Sequence, residues 1–428
     1  MRPNPPDRPP ANRLARLVTL LCLVTGVVVA LVVARTQTFS DTGLLDLRIY
    51  VASASSLRHG GSIYDFHDAV YTLGSTYPPF ASVVFLPLTF VDLHVVEQAV
   101  SVANALLWFG LLHLLQRRSP RFASYRSPWS TPATAGIALA TLPSVAVWNT
   151  INQGQVNLVL WVLLVIDLAL VLRGHPAAGV LTGVAGAIKL VPLLVLVLVG
   201  LTGRVRYAVT GAVAFAGCAA VGWLVAPSDS RRYWQDLLWD TSRVGAVDGA
   251  QNNSVQAVLA RVGLEGSARS IVWAGVVAVV VVLAVLGLRR ALAERAIVTA
   301  ATIAGCAMAL VSPISWMHHL VFLAFPLLLL LPRAPLPRAA LAGRAAAVVG
   351  LSVLLADPLG SNGRHALTAS LRTGVMLAFL LLAPRAVDAE RSPTTWPARP
   401  GGLPEVSARP PTAAGGRSPR RGRRTAPG

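Results

Sequence analysis

The feature that most restricts this chain is the recurrence of apolar runs close in length to a bilayer crossing. Leu17–Ala34, Val156–Leu172, Ile271–Leu288 and the shorter Val321–Leu331 are examples among about ten to twelve such segments. A crossing helix needs roughly 20 mainly apolar residues, because the hydrocarbon core is about 30 Å thick. Within lipid every backbone N–H and C=O must find its partner inside the protein, so repeated single runs predict helices. Only 13% of the 428 residues are charged, and mean hydropathy is +0.61. Soluble domains carry roughly a quarter charged residues. The expectation is an all-α polytopic membrane protein with about 10–12 transmembrane helices.

The net charge of +19 has a membrane explanation. Its arginines cluster between apolar runs, at Arg2–Arg16, Arg117–Arg126, Arg204–Arg206, Arg289–Arg295 and Arg333–Arg344, and in the tail from Arg385. Such clusters mark the cytoplasmic side, which places both termini inside. No soluble basic face is visible, which argues against a nucleic-acid partner. Residues 1–16 read as a basic cytoplasmic N-terminus, 17–384 as the membrane domain, and 385–428 as a disordered Pro/Arg-rich tail able to touch anionic membrane lipids. Leu17–Ala34 is too long for a signal-peptide core and is expected to be a retained first crossing. Cys22, Cys218 and Cys306 lie far apart in apolar runs, with no metal or redox spacing.

The stretches left for the outside are Thr36–Tyr77, Asn149–Gln155, Pro227–Ser270, Ser312–His318 and Asp357–Arg372. Two apolar regions are interrupted: Phe80–Leu115 by Pro87 and Asp92–His94, and Ala177–Leu201 by Lys189 and Pro192. Irregular backbone at membrane depth is tolerated where it lines protein or a watery cavity. Each break therefore reads either as a cavity wall or as a plain proline kink.

Leu44–Leu57 has the pattern of an amphipathic helix on the outer surface, with Asp46 and Tyr50 on one face. Leu45 and Leu47 flank Asp46, and partial desolvation would make it a better proton acceptor. The alternative is an exposed acid on the polar face. Lys189 is the chain's single lysine, with no acid nearby in sequence. A cation at depth suggests an anionic ligand such as a phosphate. The competing readings are a snorkelling side chain or a pair with Asp167. Asn149–Asn157 is dense in amides, including Asn152, Gln155 and Asn157, and Gln251-Asn252-Asn253-Ser254 opens another helix. Amides suit sugar hydroxyls, or simply cap helices. In Ser312–His319, adjacent His318 and His319 are too divergent on a helix to share one metal. One of them can donate to a phosphate while Trp316 lines a pocket, or both can be structural. The long loops contain no Asp-x-Asp; Asp65 and Asp68 stand three apart with His67 between them, which points to metal-independent chemistry. No nucleotide, P-loop or dinucleotide fingerprint is present, and no cofactor is expected.

Taken in order, Asp46-Leu-Arg-Ile-Tyr50, Thr76-Tyr77-Pro-Pro-Phe-Ala81, Gly154-Gln-Val-Asn157, Gly183–Pro192, Arg243-Val-Gly245, Asn252-Asn253 and Ser312–His319 resemble glycosyltransferase family 87. These are polyprenyl-phosphate-mannose-dependent α-(1→2)-mannosyltransferases of the GT-C type, found in actinobacteria. The resemblance implies transfer of mannose, with inversion, from polyprenyl-phosphate-mannose to a mannose-containing glycolipid or lipoglycan at the periplasmic face. It implies Asp46 as catalytic base and Lys189, Arg243, His318 and His319 around the donor phosphate. Tyr50, Tyr77, Asn152, Gln155 and Asn157 are then candidate substrate ligands. So are Asn252, Asn253, Ser315 and Trp316. Arg48 and Gln251–Ser254 depart from relatives and leave the acceptor open. A lipid-glycan flippase, or an enzyme using another polyprenyl-phosphate sugar, is the alternative.

Overall fold

A computed structural model describes residues 10–38, 44–67, 73–122, 128–331 and 365–391. Asp68, the Arg333–Arg344 cluster and the tail beyond residue 391 lie outside the described residues. Those described form helices and connecting loops, with no strand among them. In chain order the helices are α1 (Pro10–Thr38), α2 (Leu45–Arg58), α3 (Pro79–Phe85), α4 (Leu93–Arg118), α5 (Ser130–Thr141), α6 (Val145–Asn152) and α7 (Asn157–Val171). There follow α8 (Val180–Ile188), α9 (Leu193–Leu201), α10 (Val205–Val225), α11 (Pro227–Arg232), α12 (Val255–Arg261), α13 (Gly266–Ala293), α14 (Ile297–Val311) and α15 (His365–Glu390). A 3₁₀ segment, Met317–Leu330, carries the two adjacent histidines.

Among the described residues, α1, α4, α10, α13 and α15 contain stretches long and apolar enough to cross a membrane. A sixth crossing exists if α5 and α6, bent by 75° at their break, are taken together. Pro143 lies in that break and has no N–H to continue the ladder. The remaining apolar elements are shorter, so the many apolar runs of the sequence are a mixture of full crossings and partial ones. The chain is a multi-pass all-α membrane protein. α14 is its centre: Ile297 to Leu310 are all buried, as expected of a helix apolar on every side. Its small residues permit close approach; a Cβ on Gly305 would lie 2.3 Å from the Phe322 ring.

Helix ends at one side of the bundle are closed by charge. The Arg121 guanidinium donates to the carbonyls of Ala389 (2.5 Å) and Leu331 (2.7 Å). The Glu390 carboxylate accepts from the N–H groups of Val298 (3.0 Å) and Thr299 (2.8 Å), orphan donors of the first turn of α14. Arg290 pairs with Asp388 at 2.7 Å. These contacts bring together the ends of α4, α13 and α15 and the start of α14. α15 itself continues past Arg385, where the sequence suggests the membrane domain ends. The cavity-lining residues Trp316–His319 follow the opposite end of α14.

The two interrupted regions have different outcomes. In the first, Asp92 caps α4 by accepting from the N–H of His94 at 2.9 Å, and the break is a helix start. In the second, α8 and α9 are nine residues each, about 13 Å and under half a bilayer core. Between them Lys189 is extended (φ −146°, ψ 124°), and its side chain enters a cavity.

Candidate active site

α2 is held from its first turn. The N–H groups of Leu44 and Leu47 donate to the carbonyls of Asn152 (3.0 Å) and Gln153 (3.1 Å), so the loop after α6 supplies acceptors that a helix start lacks. Leu47, Tyr50 and Ala54 face a buried cluster with Ala81, Phe85 and Ile188. Gly154 makes the close approach possible: its φ is +64°, and a Cβ there would sit 2.6 Å from the Leu47 Cβ. Gly154→Ala is expected to cost about 1–3 kcal/mol through its left-handed backbone alone, with further loss from the clash. Both the unfolding temperature in detergent and turnover should fall; an unchanged unfolding temperature would mean that the loop moves aside.

This docking aims Asp46 into a cavity of about 420 Å³. Gln155 Nε2 donates to Asp46 Oδ2 at 2.5 Å. Gln155 Oε1 accepts from the Tyr50 hydroxyl at 3.0 Å, and the Tyr50 and Tyr77 hydroxyls are 2.8 Å apart. Asn104, buried in α4, donates to the Gln155 carbonyl at 3.1 Å. Burial raises the Asp46 pKa above the ordinary carboxylate range, opposed in part by the Gln155 hydrogen bond and the positive charge of Lys189. Asp46 is thus a carboxylate tuned toward accepting a proton.

Cations and imidazoles line the same cavity: Lys189, Arg243, His318 and His319. Lys189 Nζ donates to Asn157 Oδ1 at 3.1 Å and lies 3.0 Å from His319 Nε2. It does not pair with Asp167, whose oxygens accept from the N–H groups of Gly179 (2.8 Å) and Thr182 (2.9 Å) and pin the start of α8. Asn157 Nδ2 donates to the His318 carbonyl at 3.0 Å, so one amide sets both the lysine and the histidine backbone. Beyond Lys189 and His319 opens a smaller apolar chamber, lined in part by Leu160, Trp161, Met308 and Phe322.

Arg243, on the same cavity wall, donates to the Ser75 carbonyl at 3.3 Å and lies over the Tyr64 ring at 5.7 Å. Gly245, with φ +136°, lets this turn rest on Trp316: a Cβ would meet the indole at 2.7 Å. Asp46 is the only acid among the described residues lining the cavity.

Residues 76–313 match the sequence profile of glycosyltransferase family 87. A Mycobacterium tuberculosis protein named polyprenol-phosphate-mannose-dependent α-(1-2)-phosphatidylinositol pentamannoside mannosyltransferase is 31% identical over 337 residues, 76% of this chain and 74% of its own. A Mycolicibacterium smegmatis protein of the same name is 31% identical, over 83% of this chain and 84% of its own. A second M. tuberculosis protein, named as a phosphatidylinositol mannoside mannosyltransferase with the same donor, is 28% identical over 73% of this chain and 76% of its own. The chain belongs to glycosyltransferase family 87.

It is therefore a membrane glycosyltransferase, and the geometry sorts the residues proposed for its site. Asp46, Tyr50, Tyr77, Gln155, Lys189, Arg243, Trp316, His318 and His319 share the cavity. Asn152, Asn252 and Asn253 are not on its wall, and Asn157 and Ser315 line the adjoining smaller chamber instead. Asn252 spends its side chain on backbone: Oδ1 accepts from the N–H groups of Ser254 (3.1 Å) and Ser315 (2.8 Å), and Nδ2 donates to the carbonyls of Val247 (2.8 Å) and Pro313 (3.1 Å). Asn253 binds the Ser315 carbonyl twice, through its N–H and its Nδ2. These amides fasten the loop before α12 to the Ser312–His319 segment. Asn149, Gln153 and Gln251 also line the cavity, though the sequence did not separate them from their amide-rich neighbours. Asn104 is an isolated amide in an apolar helix, with no pattern to reveal it.

Proposed function

We propose that this family 87 enzyme transfers mannose from polyprenyl-phosphate-mannose to a phosphatidylinositol mannoside or related mannose-containing glycolipid. The new bond is α-(1→2), formed with inversion at the outer face of the cell membrane. The donor and acceptor classes follow the names of the relatives. The single observation that carries the reading is one carboxylate facing a set of cations and imidazoles across one cavity.

Asp46 takes the proton from an acceptor hydroxyl as that oxygen attacks the anomeric carbon. The bond from that carbon to the phosphate oxygen breaks on the opposite face, and the polyprenyl phosphate leaves with the electron pair. Lys189, with Arg243 and the imidazoles, stabilises the charge developing on the phosphate. The apolar chamber beside Lys189 suits a phosphate attached to a hydrocarbon chain. The outer face is favoured because, among the described residues, Arg117 and Arg118 of α4 and Arg289 and Arg290 of α13 stand at the helix ends near the start of α14, whereas the cavity lies beyond its last turn.

Purified protein in detergent, given labelled polyprenyl-phosphate-mannose and a phosphatidylinositol mannoside, is expected to yield a longer glycolipid sensitive to an α-1,2-mannosidase. Detergent abolishes the compartments that transport requires, so absence of a new bond would favour the flippase reading. Protein cations carry the phosphate charge in this scheme, so turnover is expected to persist in excess EDTA. Loss restored by a divalent cation would show that a metal shares that task.

A further inference from the structure

We infer that Gln155 is a positioning residue for the Asp46 carboxylate, held by Tyr50 and Tyr77, rather than a sugar ligand. The inference rests on the reading of Asp46 as base.

An amide has one acceptor end and one donor end, and the two are not interchangeable beside a carboxylate. Here Nε2 meets Asp46 Oδ2 at 2.5 Å, and Oε1 faces the hydroxyls of Tyr50 at 3.0 Å and Tyr77 at 3.3 Å. Both tyrosine hydroxyls stay protonated, because burial lifts their pKa values above the ordinary phenol range. A consistent chain then runs one way: Tyr77 O–H to Tyr50, Tyr50 O–H to Gln155, and Gln155 N–H to Asp46. Each donor polarises the next toward the carboxylate. A flipped amide would set a carbonyl oxygen against an ionised carboxylate.

The chain has a geometric consequence. Oδ2 already accepts the Gln155 hydrogen bond, which leaves Oδ1 the more available of the two oxygens for the acceptor proton. The parts of the chain are themselves fixed. Tyr50 is stacked between Phe85 at 4.8 Å and Tyr77 at 5.1 Å. Asn104 holds the Gln155 carbonyl, and Gly154 presses the segment under α2. Gln155 is almost completely buried, at 3% exposure, so its amide is a poor surface for a sugar and a good one for a carboxylate.

The test compares Gln155→Leu, Gln155→Glu and Tyr50→Phe with the parent enzyme, using kcat, acceptor KM and the pH profile. Gln155→Leu is expected to lower kcat about 10–100-fold, with acceptor KM changed less than about threefold. The acid limb of its profile should move up by about one pH unit, because a hydrogen bond to the ionised form is lost. Gln155→Glu keeps the shape and sets a second carboxylate against Asp46, so its acid limb should move further. Tyr50→Phe keeps the ring stack and lets Tyr77 donate instead; it is expected to lose less than tenfold in kcat, with a smaller shift in the same direction. A raised acceptor KM with unchanged kcat and acid limb in Gln155→Leu would overturn the inference and restore the role of sugar ligand. If Gln155→Leu does not fold, an acid limb left unmoved in both Gln155→Glu and Tyr50→Phe overturns it equally. Asp46→Asn is assayed alongside: full activity there condemns the base, whatever Gln155 does, and keeps the two failures apart.

Discussion

Asp46→Asn is expected to reduce mannosyl transfer by about 10²–10⁴-fold, the span usually supplied by a general base, while leaving the protein as stable as before or more so. The substitution keeps size and polarity but removes the acceptor of the proton. The stability half follows from linkage. Burial raises the folded-state pKa of Asp46, so folding favours the protonated form. Its contribution is fully present below the unfolded carboxylate pKa and is lost as pH rises through the raised folded value. At neutral pH the ionised carboxylate therefore weighs against the fold, and asparagine removes that cost. The unfolding temperature of Asp46→Asn in detergent should equal or exceed the parent's at pH 7–8, with the difference vanishing toward pH 4. In the parent enzyme the acid limb of kcat should lie above the range near pH 4 typical of an exposed carboxylate. An inactive variant with a much lower unfolding temperature would point to a structural role for Asp46.

How far the site was legible depended on whether a residue's partner lay close in the chain. Asp46 and Tyr50 share a helical face, which spacing alone reveals. Lys189 was conspicuous as a lone lysine between two apolar half-helices. The hydrogen bond from Gln155 to Asp46 spans 109 residues, and no local pattern encodes it. The amides of Asn252 and Asn253 suggested sugar contacts, whereas their partners are backbone groups, some close by at Val247, Gln251 and Ser254 and others some sixty residues away at Pro313 and Ser315. Polar side chains at a helix start serve backbone first, because orphan N–H and C=O groups there are costly when buried. The fold shows a parallel limit. Hydropathy sees α8 and α9 as one apolar stretch, and α5 and α6 as another. Whether such a stretch crosses straight or turns back is decided by the tertiary partners of the break: Asn157 and His319 for Lys189.

Lys189→Met is expected to lower kcat by about 10²–10³-fold, the usual range when a preorganised charge-stabilising donor is removed. Lys189→Arg should rescue little. Asn157 Oδ1 accepts from a single ammonium at 3.1 Å, and a planar guanidinium on a longer stem cannot reproduce that point charge. The histidine adds a reason to expect an anion. The Trp316 N–H donates to His319 Nδ1 at 3.2 Å, so a neutral ring carries its proton on Nε2, the atom facing Lys189. Opposite a charged lysine, two donors then confront each other, and a phosphate oxygen accepting from both relieves the conflict. Polyprenyl phosphate, the leaving group of the proposed reaction, should therefore raise the unfolding temperature of the parent protein, since a ligand bound only by the folded state stabilises it. Lys189→Met should lose most of that rise, while Asp46→Asn keeps it. An equal rise in Lys189→Met would place the phosphate elsewhere, with Arg243 the other Lys or Arg among the described cavity-lining residues to hold it.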